Sequence, residues 1–240
     1  MTGYGKDCPS VGEVIFKLGT ALHHQGQLNE AKSCYDSALT TGYGKGCPSL
    51  GAEIFTLGTE LRHQGQLNEA KSCYDSALTT GYGKDCPSVG ESIFDLGTAL
   101  HNHRQLKVAK LCYESALTTG YGKDCPSLGA EIFTLGTELR HQGQLNEAIS
   151  CYVNALTTGY GNDCPSVGEE IFHLCTLLRH QVQLNGAKSC YDNALTTGYG
   201  KDCSFPGRSI FQLGTALHLQ GQLNVAKSCH DIAPTTGYGK

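Results

Sequence analysis

The chain has 240 residues, 39% hydrophobic and only 17% charged, a balance too apolar for a disordered polymer and adequate for a packed protein. A formal charge of -4 and an isoelectric point near 6.2 argue against a binder of phosphate backbones, which needs a basic stripe. The opening Met1-Thr-Gly-Tyr-Gly-Lys6 carries no charged-then-apolar leader, and no apolar run approaches the roughly 18 residues that span a bilayer. The expectation is a cytoplasmic, soluble chain without nucleic-acid or membrane partners.

Thr-Gly-Tyr-Gly recurs from Thr2, Thr41, Thr80, Thr119, Thr158, Thr197 and Thr236, each 39 residues after the last. A fixed period of this length marks a repeat array, in which each unit buries its apolar side against its neighbours. The repeats fall at about 8–46, 47–85, 86–124, 125–163, 164–202 and 203–240, so that residues 1–240 form one array.

In chain order, the first unit opens with Cys8-Pro9-Ser10, where proline suits a first helical turn. Ser10 with Glu13 reads as a capping box, repeated at Ser88 with Glu91 and Ser166 with Glu169. Ile15, Leu18, Gly19 and Leu22 then make an apolar stripe at helical spacing. After the break Gln25-Gly26-Gln27, Leu28, Ala31, Tyr35, Ala38 and Leu39 make the stripe of a second, antiparallel helix. Small residues (Gly19, Ala31, Ala38) alternate with large ones (Leu18, Leu22, Leu28, Tyr35), as ridge-into-groove packing requires. Thr40-Thr-Gly-Tyr-Gly-Lys45 supplies glycines able to take positive φ, and Pro48, Pro87, Pro126 and Pro165 lie just beyond later copies.

Later units vary this theme. Repeats one, three and five read Ser-Val-Gly-Glu, whereas two and four read Ser-Leu-Gly-Ala-Glu (Ser49 to Glu53, Ser127 to Glu131), which points to duplication of a two-repeat element. Arg104 and Val182 replace the turn glycine in repeats three and five, and Cys175 replaces the helix glycine in repeat five. In repeat six the proline shifts to Pro206, His230 replaces the tyrosine, and Pro234 predicts that the last helix stops near Ile232 or kinks.

The 13 cysteines are two per repeat plus Cys175. One series (Cys8, Cys47, Cys86, Cys125, Cys164, Cys203) precedes the first helix of each unit, and the other (Cys34, Cys73, Cys112, Cys151, Cys190, Cys229) lies within the second. With no C-x-x-C pair, free buried or half-buried thiols are the first reading, disulfides between the series the second, and zinc the least favoured because the ligand spacing is wrong.

Ile15-x-x-Leu18-Gly19-x-x-Leu22-x-x-x-Gly26-x-Leu28-x-x-Ala31-x-x-x-Tyr35-x-x-Ala38-Leu39 resembles the tetratricopeptide repeat. The connector Gly83-Lys-Asp-Cys-Pro87 is similar to the Gly-x-Asp-His-Pro linker of the long-repeat kinesin-light-chain and nephrocystin-like arrays, whose repeats are longer and place histidine where this chain has cysteine. The resemblance implies an all-α fold, a right-handed α–α superhelical solenoid of six 39-residue helix-turn-helix repeats. It further implies a non-catalytic interaction scaffold whose first helices line a concave groove for a peptide of a partner.

By repeat position, that implied groove contains five sets of residues. The phenylalanines are Phe16, Phe55, Phe94, Phe133 and Phe172, with Phe211 in the last repeat; they could stack on a peptide or simply fill the core between repeats. Thr20, Thr59, Thr98, Thr137 and Thr176 lie one turn further on, and Lys17 lies beside Phe16. His23, Arg62, His101, Arg140 and Arg179, with His218, form a basic or protonatable ladder, flanked by His24, His63, His141 and His180. A positive ladder favours an acidic peptide; its plainer reading is a solvated helix end whose cations complement the dipole. The chaperone-tail carboxylate clamp of some relatives needs lysine and asparagine where Phe16 and Thr20 stand, so that partner is disfavoured.

Thr-Gly-Tyr-Gly-Lys lacks the Gly-x-x-x-x-Gly-Lys-Ser/Thr pattern and follows no strand, so it is a connector rather than a phosphate loop. A surface copied in every unit offers no distinctive catalytic constellation, and no catalytic residue, cofactor or metal is expected. Neither end has an evident polar capping helix, so the alternative function is a structural module that self-associates head to tail into oligomers or filaments.

Overall fold

A computed structural model describes residues 9–43, 47–121, 125–161, 165–181, 183–197 and 204–236. Twelve α-helices are described: α1 (Pro9–His24), α2 (Leu28–Thr40), α3 (Pro48–His63), α4 (Leu67–Thr79), α5 (Pro87–Asn102), α6 (Leu106–Thr118), α7 (Pro126–His141), α8 (Leu145–Thr157), α9 (Pro165–His180), α10 (Leu184–Thr196), α11 (Ser204–Leu219) and α12 (Leu223–Ile232). A 3-10 turn, Ala233–Thr236, follows α12, so the last helix stops at the residue that Pro234 predicts. The described residues are all-α, and each odd-numbered helix pairs with the even-numbered helix after it. The chain divides into two compact units, Met1–Gly122 with α1–α6 and Lys123–Lys240 with α7–α12.

Each hairpin is held by the two predicted stripes. Leu28, Ala31, Tyr35 and Ala38 are buried on α2, and their counterparts Ala70, Tyr74 and Ala77 repeat the pattern on α4. Gly19 lies under the Tyr35 ring; a Cβ there would stand 2.7 Å from Tyr35 Cε1 and 3.0 Å from Cys34 Cβ. The helices of this first hairpin therefore cross at a distance that leaves no room for a larger side chain without a shift. Leu57 and Leu96 of the first unit, and Leu135, Leu174 and Leu213 of the second, are wholly buried, whereas their counterpart Leu18 in α1 is 54% exposed.

The connector is equally tight. Thr41 Oγ1 donates to the Ala38 carbonyl at 2.7 Å, and the Tyr43 amide donates back to Oγ1 at 3.4 Å. This small loop packs on Gly12 in α1, where an added Cβ would lie 2.1 Å from Thr41 Oγ1. Gly51 with Thr80, Gly90 with Thr119 and Gly129 with Thr158 repeat the contact. Gly26 turns the hairpin at φ +75, and Arg104 adopts φ 61 at the same place in repeat three, a conformation that costs a non-glycine residue about 1 kcal/mol.

The capping expectation is corrected. Cys47, Cys86 and Cys125 occupy the N-cap position, with proline next, and make no side-chain capping bond. Ser88 is the second residue of α5, one position inside the helix, so it cannot cap; Ser10 and Ser166 hold the same position in α1 and α9. Cys47 Sγ instead contacts Ser49 Oγ at 3.1 Å, and Cys86 contacts Ser88 at 3.2 Å.

Candidate interaction surface

The first helix of each repeat carries every residue the sequence singled out, but they do not share one environment. Phe16 lies 5.8 Å, centroid to centroid, from both Tyr35 and the connector residue Tyr43. Phe55 sits likewise between Tyr74 and Tyr82, and Phe133 between Tyr152 and Tyr160. Phe94 is flanked by Tyr113 and Tyr121. These rings are half-buried, and Phe172 is buried at 2% exposure. Phe16, Phe55, Phe94 and Phe133 thus join hairpin to connector.

The threonines are also engaged. Tyr35 donates to Thr20 at 3.4 Å, and the pairs Thr59–Tyr74, Thr98–Tyr113 and Thr137–Tyr152 are 3.1, 3.4 and 3.1 Å apart. Thr176 donates to the Phe172 carbonyl at 3.2 Å without such a tyrosine bond. Burial, with the Glu53 carboxylate nearby, pushes the Tyr35 phenol up to about 12.

The ladder is not a row of free cations. Arg62 reaches the next first helix and pairs with Asp95 at 3.4 Å, and Arg140 pairs with Glu170 at 2.9 Å. Arg179 hydrogen-bonds Gln212. His23 lies between Glu53 and Glu60 of α3, with Nδ1 3.8 Å from one and Nε2 3.2 Å from the other. His101 is buried, and His218 is exposed. The acidic-peptide expectation rested on unspent positive charge, and at Arg62 and Arg140 that charge is matched from the following helix. Glu53, Asp95 and Glu170 were missed because the facing register of successive helices is not written in a single repeat.

Lys17, His24, His63, His141 and His180 remain outward. Lys17 pairs with Glu13 at 2.8 Å, a contact between exposed groups. Beside His23 and His24 is a cavity of about 480 Å³, bordered also by Gly26, Glu53, Thr56 and Glu60. A second, polar hollow of about 360 Å³ lies along α2, between Asn29 and Thr40, over the Lys32–Asp36 pair.

The described cysteines are free thiols. Cys73, Cys112, Cys151, Cys175, Cys190 and Cys229 are buried, while Cys34, Cys47, Cys86 and Cys125 are half-buried. Burial pushes Cys73 and Cys112 up to about 12, whereas the hydroxyls of Ser49 and Ser88, followed by backbone amides at the helix start, lower Cys47 and Cys86. Cys8, Cys164, Cys203 and Val182 lie outside the described residues, as does the connector 44–46. Among the described residues no group of three or more His, Cys, Asp or Glu is placed to hold a metal, and no helix is long and apolar enough to cross a membrane.

The profile of the tetratricopeptide repeat matches residues 12–41, the span from the Gly12–Thr41 contact at one end of the first hairpin to the other. No curated protein matches the chain. Among solved structures, YrrB, a TPR protein with an unusual peptide-binding site, is 19% identical with a TM-score of 0.30, covering 86% of this chain and 90% of that one. PilF of Pseudomonas aeruginosa is 18% identical at 0.30, covering 92% and 89%, and BtubC of P. vanneervenii is 15% identical at 0.31, covering 98% and 91%. Scores this low carry no argument about shape or ligand. The matched unit, residues 12–41, is similar to the tetratricopeptide repeat, and the helical hairpin it covers recurs at a 39-residue period among the described residues.

Proposed function

We propose that the chain is a non-catalytic protein-interaction scaffold that holds a peptide segment of a partner against the face of its first helices. The observation that carries this reading is a contrast between columns. Buried positions are constant, as in Leu57, Leu96, Leu135 and Leu174, while the exposed position beside each phenylalanine changes through Lys17, Thr56, Asp95, Thr134, His173 and Gln212. A varied surface on a largely repeated frame suits reading a sequence better than assembling one reactive centre. Free thiols fit a reducing, cytoplasmic setting. The kinesin-light-chain-like subtype rests on the connector Gly83–Pro87 alone.

Peptide display against the chain tests the reading. Selected sequences should change when Lys17→Glu and Asp95→Lys are introduced together; no selection, or a selection indifferent to the swap, counts against it.

A second reading has its own observation. Val11, Val14 and Leu18 are 40%, 68% and 54% exposed on α1, and Phe211, Leu219 and Leu223 are exposed in the last repeat. Head-to-tail stacking would cover Val11 and Leu18, whose counterparts Leu50 and Leu57 are buried. Light scattering that grows with concentration without a fixed stoichiometry supports it, and a constant monomer mass removes it.

A further inference from the structure

Successive first helices do not all meet alike. Where Arg62 or Arg140 leaves its helix, the next helix supplies a single paired acid, Asp95 or Glu170. Where His23 stands, α3 supplies two, Glu53 and Glu60, two turns apart on the face that also bears Thr56. The imidazole is shorter than an arginine and leaves the cavity of about 480 Å³ between α1 and α3 open.

Two carboxylates face one imidazole here, with the Glu53 and Glu60 side chains 36% and 50% exposed. The His23 side chain is only 7% exposed, and although carboxylate oxygens stand 3.2 and 3.8 Å from its nitrogens, neither nitrogen makes an aligned hydrogen bond. Even a charged imidazole meets only one of the two carboxylates. A buried polar ring without an aligned partner, two carboxylates and an open volume together describe half of an ion pair.

We propose that this cavity receives the cationic head of an arginine or lysine side chain from the segment that the scaffold binds, a step that rests on the scaffold reading above. A guanidinium suits it best, because its fan of N–H donors can reach Glu53 and Glu60 together and its plane can also approach Thr56. The partner segment is thus basic at this point, in contrast to the acidic one inferred from the ladder.

The test follows the backbone amides of residues 53–60 by NMR during titration with N-acetyl-arginine amide, its neutral isostere N-acetyl-citrulline amide, and zinc chloride. The arginine compound should shift these amides saturably, and citrulline should bind about tenfold or more weakly. Glu53→Gln with Glu60→Gln should abolish the response while the helical circular dichroism is unchanged. His23→Arg should fill the cavity from within, as Arg62 does toward Asp95, and weaken the response by about tenfold or more without loss of helix. Equal shifts with citrulline, shifts that survive either variant, or a response to zinc alone overturn the proposal. If peptide display succeeds while this cavity stays silent, the scaffold reading stands and the cationic subsite falls.

Discussion

Repeats four and five, neighbours in the second compact unit, differ at one crossing and show how little slack the hairpin has. In repeat four, Gly136 lets Tyr152 close over α7; its hydroxyl is 3.1 Å from Thr137, and its ring lies 4.7 Å from that of Phe133. In repeat five, Cys175 takes the glycine's place and donates its thiol to the Ile171 carbonyl at 3.0 Å. There the Tyr191 hydroxyl is buried without a hydrogen bond, and Phe172 sits 5.3 Å from the Tyr191 ring, shut away from solvent. The repeat with the added side chain has an unsatisfied hydroxyl and a buried phenylalanine where its neighbour has a satisfied hydroxyl and a half-buried one.

The largest test of that comparison is Gly136→Cys, which gives repeat four the crossing of repeat five. A Cβ at this position stands 2.8 Å from Tyr152 Cε1 and 2.9 Å from Cys151 Cβ, so the variant should lose about 2 kcal/mol in urea unfolding. An unchanged midpoint would mean that the crossing is looser than its geometry.

Next in size is the paired removal of hydroxyls. Tyr152→Phe should cost about 1 kcal/mol because it breaks the bond to Thr137, whereas Tyr191→Phe should be neutral or mildly stabilising because it removes an unsatisfied buried group. Equal losses in thermal melts would erase the distinction between the repeats.

Alkaline unfolding sharpens the contrast further. Burial, with Cys190 alongside, raises the Cys175 thiol well above its ordinary value of 9.0, and burial raises Tyr191 to about 12. A raised folded-state value means stability that is complete below the unfolded value and lost as pH climbs through the folded one. Cys175→Gly should therefore shift the alkaline transition to higher pH, followed by circular dichroism from pH 8 upward; no shift would show that this thiol does not control it.

The smallest effect concerns charge. Lys188 and Asp192 form an ion pair one turn apart on α10, whereas α8 has Ile149 and Val153 at the same positions. Lys188→Ala should cost about 0.4 kcal/mol in low salt and nothing in high salt, and Ile149→Ala should show no such salt dependence.

Much of this was legible before any coordinates. The i, i+3, i+4, i+7 stripes predicted both helices of every hairpin, and Gly19 opposite Tyr35 followed from the alternation of small and large residues. Pro234 located the end of α12 because its ring excludes the helical bond of the preceding turn. What lay beyond reach depended on the step between repeats. Which residue of α3 faces His23, or which of α5 faces Arg62, follows from the rise and rotation of one hairpin on the next, and no periodicity within a unit encodes that. The N-cap cysteines were hidden for a different reason: Ser-x-x-Glu fits a capping box in sequence, but the helix starts at proline, two residues earlier than a serine N-cap needs.

The threonine seated on glycine at Gly12, Gly51, Gly90 and Gly129 has a consequence for how such a gene can change length. Each of these four copies closes upon its own connector, so recombination that drops or adds one of them leaves the other three hairpins shut. Junction side chains do not enjoy that freedom. Deleting repeat two would bring His23 before Asp95 rather than before two glutamates, whereas deleting two consecutive repeats restores a helix with the same pair, Glu131 and Glu138. Copy number should therefore drift by twos wherever the histidine junction is under selection, and freely wherever it is not.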